Sequence, residues 1–181
     1  MNYSYKKKNI KSADGKNIPS LEYIPNINTN SAIVLVYEIF GTTNHIKRLA
    51  SNLAEKGFIV NIPDIFSRIE DNVSLPYNKE GFQKGISLKK NIGWEIPVMD
   101  LVATAATYKQ NFEVSILGFC FGGSLAWLSM QKSFIFDKGV CYYGSSIPDF
   151  LERNINCPAL LHFGKKDKGI PSEALNKVRK Y

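Results

Sequence analysis

The stretch Ser115–Trp127, SILGFCFGGSLAW, constrains the fold of this chain more than any other. It reads as a short apolar strand, a tight turn carrying one cysteine, and the start of a helix. Gly118 and Gly122 flank Cys120 at two positions on either side, and Gly123 follows directly. This is the nucleophile-elbow pattern with cysteine in place of serine. A residue at the tip of so sharp a turn has strained backbone angles, and side chains two positions away would collide; glycine removes those side chains. A helix starting near Gly122 would aim its N-terminal amides, the positive end of its dipole, at the sulfur, which favours a thiolate and a bound oxyanion. Two other readings stand beside this one. Free cysteine is among the residue types most often buried for packing alone. Glycine-rich strand-to-helix turns also bind dinucleotides, but the spacing here is not G-x-G-x-x-G and no acidic residue stands at the ribose-binding offset.

The rest of the chain supplies a context of alternating strands and helices. Tyr5–Tyr23 reads as a β-hairpin about the Asp14-Gly15 turn. Ala32–Tyr37 is a continuous apolar run, as in a strand buried on both faces of a parallel sheet. Helix His45–Lys56 follows, with Thr43 or Asn44 as its cap and Ile46, Leu49, Ala50 and Leu53 on one stripe; Gly57 stops it. Phe58–Ile62 is the next strand, closed by Pro63-Asp64. Ser67–Asn91 is polar, weakly periodic and interrupted by Pro76, Gly81 and Gly85, and reads as an excursion over the active face rather than a linker. Trp94–Tyr108 is helical, with Val98, Leu101, Val102, Ala105 and Ala106 facing inward. Strand Val114–Phe119, helix Ser124–Lys132, strands Gly139–Tyr143 and Ala159–Phe163, and a helix from Ser172 complete the pattern. Such alternation predicts an α/β class: a mostly parallel, twisted sheet flanked by helices on both faces. Ligands and chemistry gather at the carboxyl ends of the strands in such sheets. Glu38, Cys120 and Asp167 fall at such ends, whereas Asp64 and Asp100 read as structural or surface residues.

Composition excludes several classes. The 181 residues suit one domain, 1–181, and 44% hydrophobic with 22% charged residues is ordinary for a soluble globular chain. Three cysteines, Cys120, Cys141 and Cys157, form no C-x-x-C pair and no disulfide framework, which fits a reducing cytoplasm. The basic N-terminus lacks the apolar core of a signal peptide, and no apolar run is long enough to span a membrane. The net charge of +7 comes mostly from dispersed lysines with no nucleic-acid-binding motif, so it reads as a solvated surface able to steer anionic substrates.

Taken together, Glu38-Ile39-Phe40-Gly41, the pair Gly57-Phe58 and Pro63-Asp64, the elbow Gly118-Phe119-Cys120-Phe121-Gly122-Gly123, Tyr142-Tyr143-Gly144, and Pro158-Ala159-Leu160 with Gly164, Asp167 and Pro171 resemble the dienelactone hydrolase family, in order from about Lys11 onward. The resemblance implies an α/β-hydrolase fold and hydrolysis of an ester or lactone bond, with a small-molecule substrate, no cofactor, no metal, and neither nucleic acid nor membrane as partner. Carried over residue by residue, it makes Cys120 the nucleophile, Asp167 the triad acid and Glu38 the group that helps ionise the thiol. The backbone amides of Ile39 and Phe121 would form the oxyanion hole. A thiolate attacks a carbonyl far better than a thiol, and two fixed amides stabilise an oxyanion without reorganising.

The chain departs from the family's pattern in one respect. The family's triad ends in a histidine after a further strand, whereas here the only histidines, His45 and His162, both precede Asp167. His162 lies within the Ala159–Phe163 strand and reads as a core histidine with its hydrogen bonds satisfied. The expectation is therefore a family member lacking the last strand, the histidine loop and the closing helix, with low turnover, an unpaired sheet edge and a tendency to self-associate. A non-catalytic α/β-hydrolase scaffold is the competing reading. Arginines hold the substrate carboxylate in dienelactone-cleaving relatives. The excursion here carries Lys79, Lys84, Lys89 and Lys90 instead, with Arg68 just ahead of it, which favours a small ester, lactone or thioester over dienelactone itself.

Overall fold

In the computed structural model, which describes residues 2–181, the chain builds one seven-stranded mixed sheet. The strands are β1 (Tyr3–Lys11), β2 (Asn17–Pro25), β3 (Ser31–Val36), β4 (Ile59–Pro63), β5 (Glu113–Phe119), β6 (Lys138–Tyr142) and β7 (Ala159–His162), in the spatial order β1-β2-β4-β3-β5-β6-β7. The hairpin β1–β2 is antiparallel and joins β4 antiparallel, while β4, β3, β5, β6 and β7 run parallel to one another. The helices are α1 (Asn44–Glu55), α2 (Lys79–Ile92), α3 (Glu95–Lys109), α4 (Phe121–Lys132) and α5 (Ser172–Lys180).

The order of the strands sorts the helices onto faces. From β3 the chain steps to β4 on one side, then crosses back over β3 to reach β5 and continues outward to β6 and β7. Right-handed crossovers in opposite directions put α1 on one face and α3 and α4 on the other. The crossing-back makes β3 and β5 the topological switch point, where a crevice opens beyond the strand ends. β3 and β4 are buried almost throughout, and α4 is buried continuously from Phe121 to Met130, as a central helix covered by other elements must be.

Two expected details change. The excursion Ser67–Asn91, to which weak periodicity assigned no element, carries in its second half the 14-residue helix α2, capped by the Asn78 side chain, which accepts from the Gly81 N–H. Its inward face carries Gly81, Gly85, Leu88 and Ile92. Two of those four contacts are glycines, so the apolar stripe that marks a helix was half missing. On α3 the expected face is buried at Val98, Leu101 and Ala105, but Asp100 and Thr104 are fully buried beside it while Ala106 is exposed. The reason is a polar clamp. Arg68, at the end of the 3-10 turn Ile65–Arg68, donates Nε and Nη2 hydrogen bonds to the two Asp100 carboxylate oxygens at 2.9 and 2.5 Å, and Nη1 reaches Asp14 in the β1–β2 connection at 2.5 Å. Ser12 Oγ donates to Asp100 Oδ1 at 2.6 Å.

Asp64 is likewise structural rather than superficial. It accepts from the buried Tyr37 hydroxyl at 3.0 Å and from the Asn72 N–H at 3.1 Å. Thr43, not Asn44, caps α1.

Candidate functional site

The parallel register assembles the site. Val36 on β3 is paired with Gly118 on β5, so Glu38 and Cys120, each two residues further on, emerge together at the switch point. On the other side of β5, Phe119 pairs with Tyr142, and the Cys120 N–H donates to the Tyr142 carbonyl at 2.9 Å. Tyr143 therefore follows on the far flank of Cys120.

Cys120 sits at φ 56°, ψ −116°, a strained conformation for a residue with a side chain. The strain is imposed by close backbone packing. A Cβ added to Gly118 would lie 2.0 Å from the Gly122 carbonyl oxygen, and one on Gly122 would lie 2.4 Å from the Val36 carbonyl oxygen. Strand, turn and helix thus touch backbone to backbone, and the cysteine is pushed out at the tip. The helix α4 begins directly at Phe121, three residues earlier than the pattern of apolar residues suggested.

The thiol is half-buried, and burial pushes its pKa above the ordinary thiol value. The Phe121 N–H pulls it down, the Glu38 carboxylate pushes it up, and the Lys89 ammonium and the Ile39 N–H pull it down again. The amides at the helix N-terminus thus favour the thiolate as expected, but burial outweighs them. Cys141 is buried on β6 with its thiol pushed up to about 12 by burial, and is inert packing.

Glu38 is not aimed at bulk solvent. Its carboxylate accepts hydrogen bonds from the Tyr77 hydroxyl at 2.6 Å and the Tyr143 hydroxyl at 2.9 Å, and Tyr77 also bonds the Thr43 hydroxyl at 3.1 Å. Both phenols are raised in pKa, by burial first and then by the Glu38 charge, so they remain donors. Tyr143 itself adopts φ 38°, one of three non-glycine residues with positive φ among the described residues, with Cys120 and Asn72. Tyr143 belongs to the Tyr142-Tyr143-Gly144 motif but has no role assigned from the sequence, and Tyr77 belongs to no motif. Tyr143 was findable, since it follows a parallel strand next to the elbow; Tyr77 lies in a segment without periodicity and gave no signal.

Of the residues expected at the site, Cys120, Glu38, Ile39 and Phe121 come together around the elbow. Asp167 follows β7, two strands away from β5; its side chain is exposed and its Oδ1 accepts from the Gly169 N–H at 2.8 Å within its own loop. His162 is not a core histidine: it is half-buried and stacks on Tyr142, with ring centroids 4.3 Å apart and planes at 7°. His45 lies at the start of α1. Among the described residues no hydrogen bond joins either histidine to Cys120, and no group of three or more His, Cys, Asp or Glu is arranged to hold a metal ion. No helix among them is long and apolar enough to cross a membrane.

Comparison with known proteins agrees with this architecture. The model of the dienelactone hydrolase family matches residues 18–181. A carboxymethylenebutenolidase of Pseudomonas putida is 29% identical over 170 residues, covering 90% of this chain and 72% of that protein. Carboxymethylenebutenolidase 1 of Cupriavidus pinatubonensis is 31% identical over 162 residues, covering 84% and 68%. Among solved structures, a candidate dienelactone hydrolase from Klebsiella pneumoniae superposes with a TM-score of 0.82 at 23% identity over 99% of this chain and 80% of that one. A dienelactone hydrolase-like promiscuous phosphotriesterase from metagenomic libraries gives 0.73 at 20% identity, over 98% and 76%. The structural neighbours establish the α/β-hydrolase fold; the family match, running through the hairpin's second strand, the Glu38 strand end and the elbow, establishes descent. The chain belongs to the dienelactone hydrolase family, and with it to the enzymes that hydrolyse ester and lactone bonds.

Proposed function

We propose that this chain cleaves small esters or lactones through Cys120. The observation that carries the reading is the strained Cys120 tip at the switch point, with the Phe121 and Ile39 amides and the Glu38 carboxylate all close enough to act on its sulfur. In the resting state the thiol keeps its proton. When a substrate carbonyl enters, Glu38 takes that proton, and the sulfur attacks the carbonyl carbon, forming a C–S bond. The carbonyl oxygen takes the negative charge between the Phe121 and Ile39 N–H groups. Collapse breaks the C–O bond, and the proton returns from Glu38 to the departing alkoxide. A thioester on Cys120 remains, and water must cleave it to regenerate the thiol.

That last step needs a base for water, and no histidine stands beside Cys120. Acylation should therefore outrun deacylation. Asp167 keeps the triad-acid position by its place in chain order after β7. The carboxymethylenebutenolidase relatives favour a lactone or small ester; the lysines of the 79–90 segment offer point charges rather than bidentate forks for a substrate carboxylate.

Rapid mixing with p-nitrophenyl acetate tests the reading. The expected result is a burst of about one equivalent of p-nitrophenol per chain, a slow steady state, and an acetyl group located on the Cys120 peptide by mass spectrometry. Acetylation only elsewhere, or none at all, would favour a binding scaffold over an enzyme. A fast steady state without acyl-enzyme accumulation would overturn the slow-deacylation half.

A further inference from the structure

The site contains a cation that the reaction scheme leaves unused. Helix α2 lies directly on the loop that follows β3: a Cβ on Gly85 would be 2.5 Å from the Ile39 carbonyl oxygen. One helical turn on, at i+4 and so on the same face, Lys89 projects toward the elbow. Its ammonium lies 5.1 Å from the centroid of the Trp94 ring and 5.7 Å from that of Phe121, the residue after Cys120. Lys6, Lys8, Lys84, Lys109 and Lys138 each reach a carboxylate. Half-buried Lys89 has no ion-pair partner among the described residues. The nearby Glu38 carboxylate is occupied by two phenols instead.

We propose that Lys89 is a positioning residue for Cys120: its ammonium, parked on the Trp94 and Phe121 rings, is the counter-charge for the thiolate and for the anion formed when the sulfur attacks. Two aromatic faces attract the cation without neutralising it, so its field remains available to the sulfur. A carboxylate partner would have cancelled that field. The glycine at 85 fixes the register, because only a close seat of α2 on the Ile39 backbone brings position 89 over Phe121. The charged and titratable groups around the sulfur are Glu38, which opposes the thiolate, Tyr77 and Tyr143, which donate to Glu38, and Lys89, which favours the thiolate.

The catalytic half of this inference rests on the cysteine-nucleophile reading, whereas the thiolate half can be measured on the free protein. Cys120 is alkylated with iodoacetamide and with iodoacetate across pH 6 to 10 (about the range a perturbed thiol covers), and the Cys120 peptide is quantified. In each reaction the thiolate forms an S–C bond as iodide leaves. Lys89→Met keeps the apolar stem and removes the charge; Lys89→Arg keeps the charge. The expected result for Lys89→Met is an alkylation profile moved up by about half to one pH unit, equivalent to about 3- to 10-fold slower reaction below the midpoint. The preference for anionic iodoacetate over neutral iodoacetamide should fall several-fold, and Lys89→Arg should retain both. Should the Met variant not fold, Lys89→Gln gives the same readout. An unchanged profile and an unchanged reagent ratio in the charge-free variant would overturn the proposal. Failure of the cysteine reading shows separately, as absence of acylation in the wild-type chain.

Discussion

Gly118→Ala is expected to destabilise the chain by about 3 kcal/mol or more, near the top of what a single added methyl group does in a packed core. The new Cβ would stand 2.0 Å from the Gly122 carbonyl oxygen, 2.4 Å from its carbonyl carbon and 2.8 Å from the Gly123 nitrogen. All three are backbone atoms of the first turn of α4, and α4 is the buried central helix. A flexible side chain could swing away; this backbone can yield only if the helix start moves. Gly15→Ala separates the causes. Its Cβ meets nothing within 4 Å, but its φ of 83° disfavours any side chain, so a loss of about 1 to 2 kcal/mol is expected from conformation alone. Urea unfolding of the two variants gives the comparison. If Gly118→Ala unfolds no more easily than Gly15→Ala, the elbow is not the tight junction described. Where the Gly118 variant does fold, the displaced turn should also lose its p-nitrophenol burst.

That same junction explains why so much of the site could be read from residues alone. A cysteine between glycines at two positions either side is a steric statement, and it survives without coordinates because few arrangements need both glycines. Glu38 beside Cys120 was legible for a related reason: each terminates an apolar run, and parallel strands at a switch point bring such ends together. Helix α2 was illegible because its contacts are made by missing side chains. Gly81 and Gly85 pack against the Pro76 and Ile39 carbonyls, so the inward face shows no apolar period. Lys89 then looked like one lysine among four, although its setting between two aromatic rings is unlike that of Lys84, which pairs with Glu70 on the surface. Asp167 illustrates the limit of chain order. Its place in chain order was readable, but order does not fix where an exposed loop directs a carboxylate.

The second large effect is expected at Asp100, which touches nothing in the site. Asp100 is fully buried, and the Arg68 side chain that grips both its oxygens is only 6% exposed. Neither charge is tolerated there alone. The pair holds the Arg68 guanidinium even more firmly charged than usual, chiefly through the hydrogen bonds to Asp100 and then those to Asp14. Asp100→Ala would leave a buried guanidinium with only the partly exposed Asp14 carboxylate, and also strand the Ser12 hydroxyl. Removing one partner of a buried pair costs about 3 to 5 kcal/mol, and the remaining contact with Asp14 argues for the lower figure. For a chain of this size that is a fall in Tm on the order of 10 °C. The double variant Arg68→Met with Asp100→Leu removes both charges together and is expected to recover most of the loss, because the cost lies in stranding a charge rather than in losing an attraction. Asp14→Ala should do much less, since water can replace an exposed carboxylate. Thermal melts of the three variants decide the matter. A double variant as unstable as Asp100→Ala would mean that the clamp contributes net attraction, holding the hairpin connection, the 3-10 turn and α3 together by charge rather than by shape.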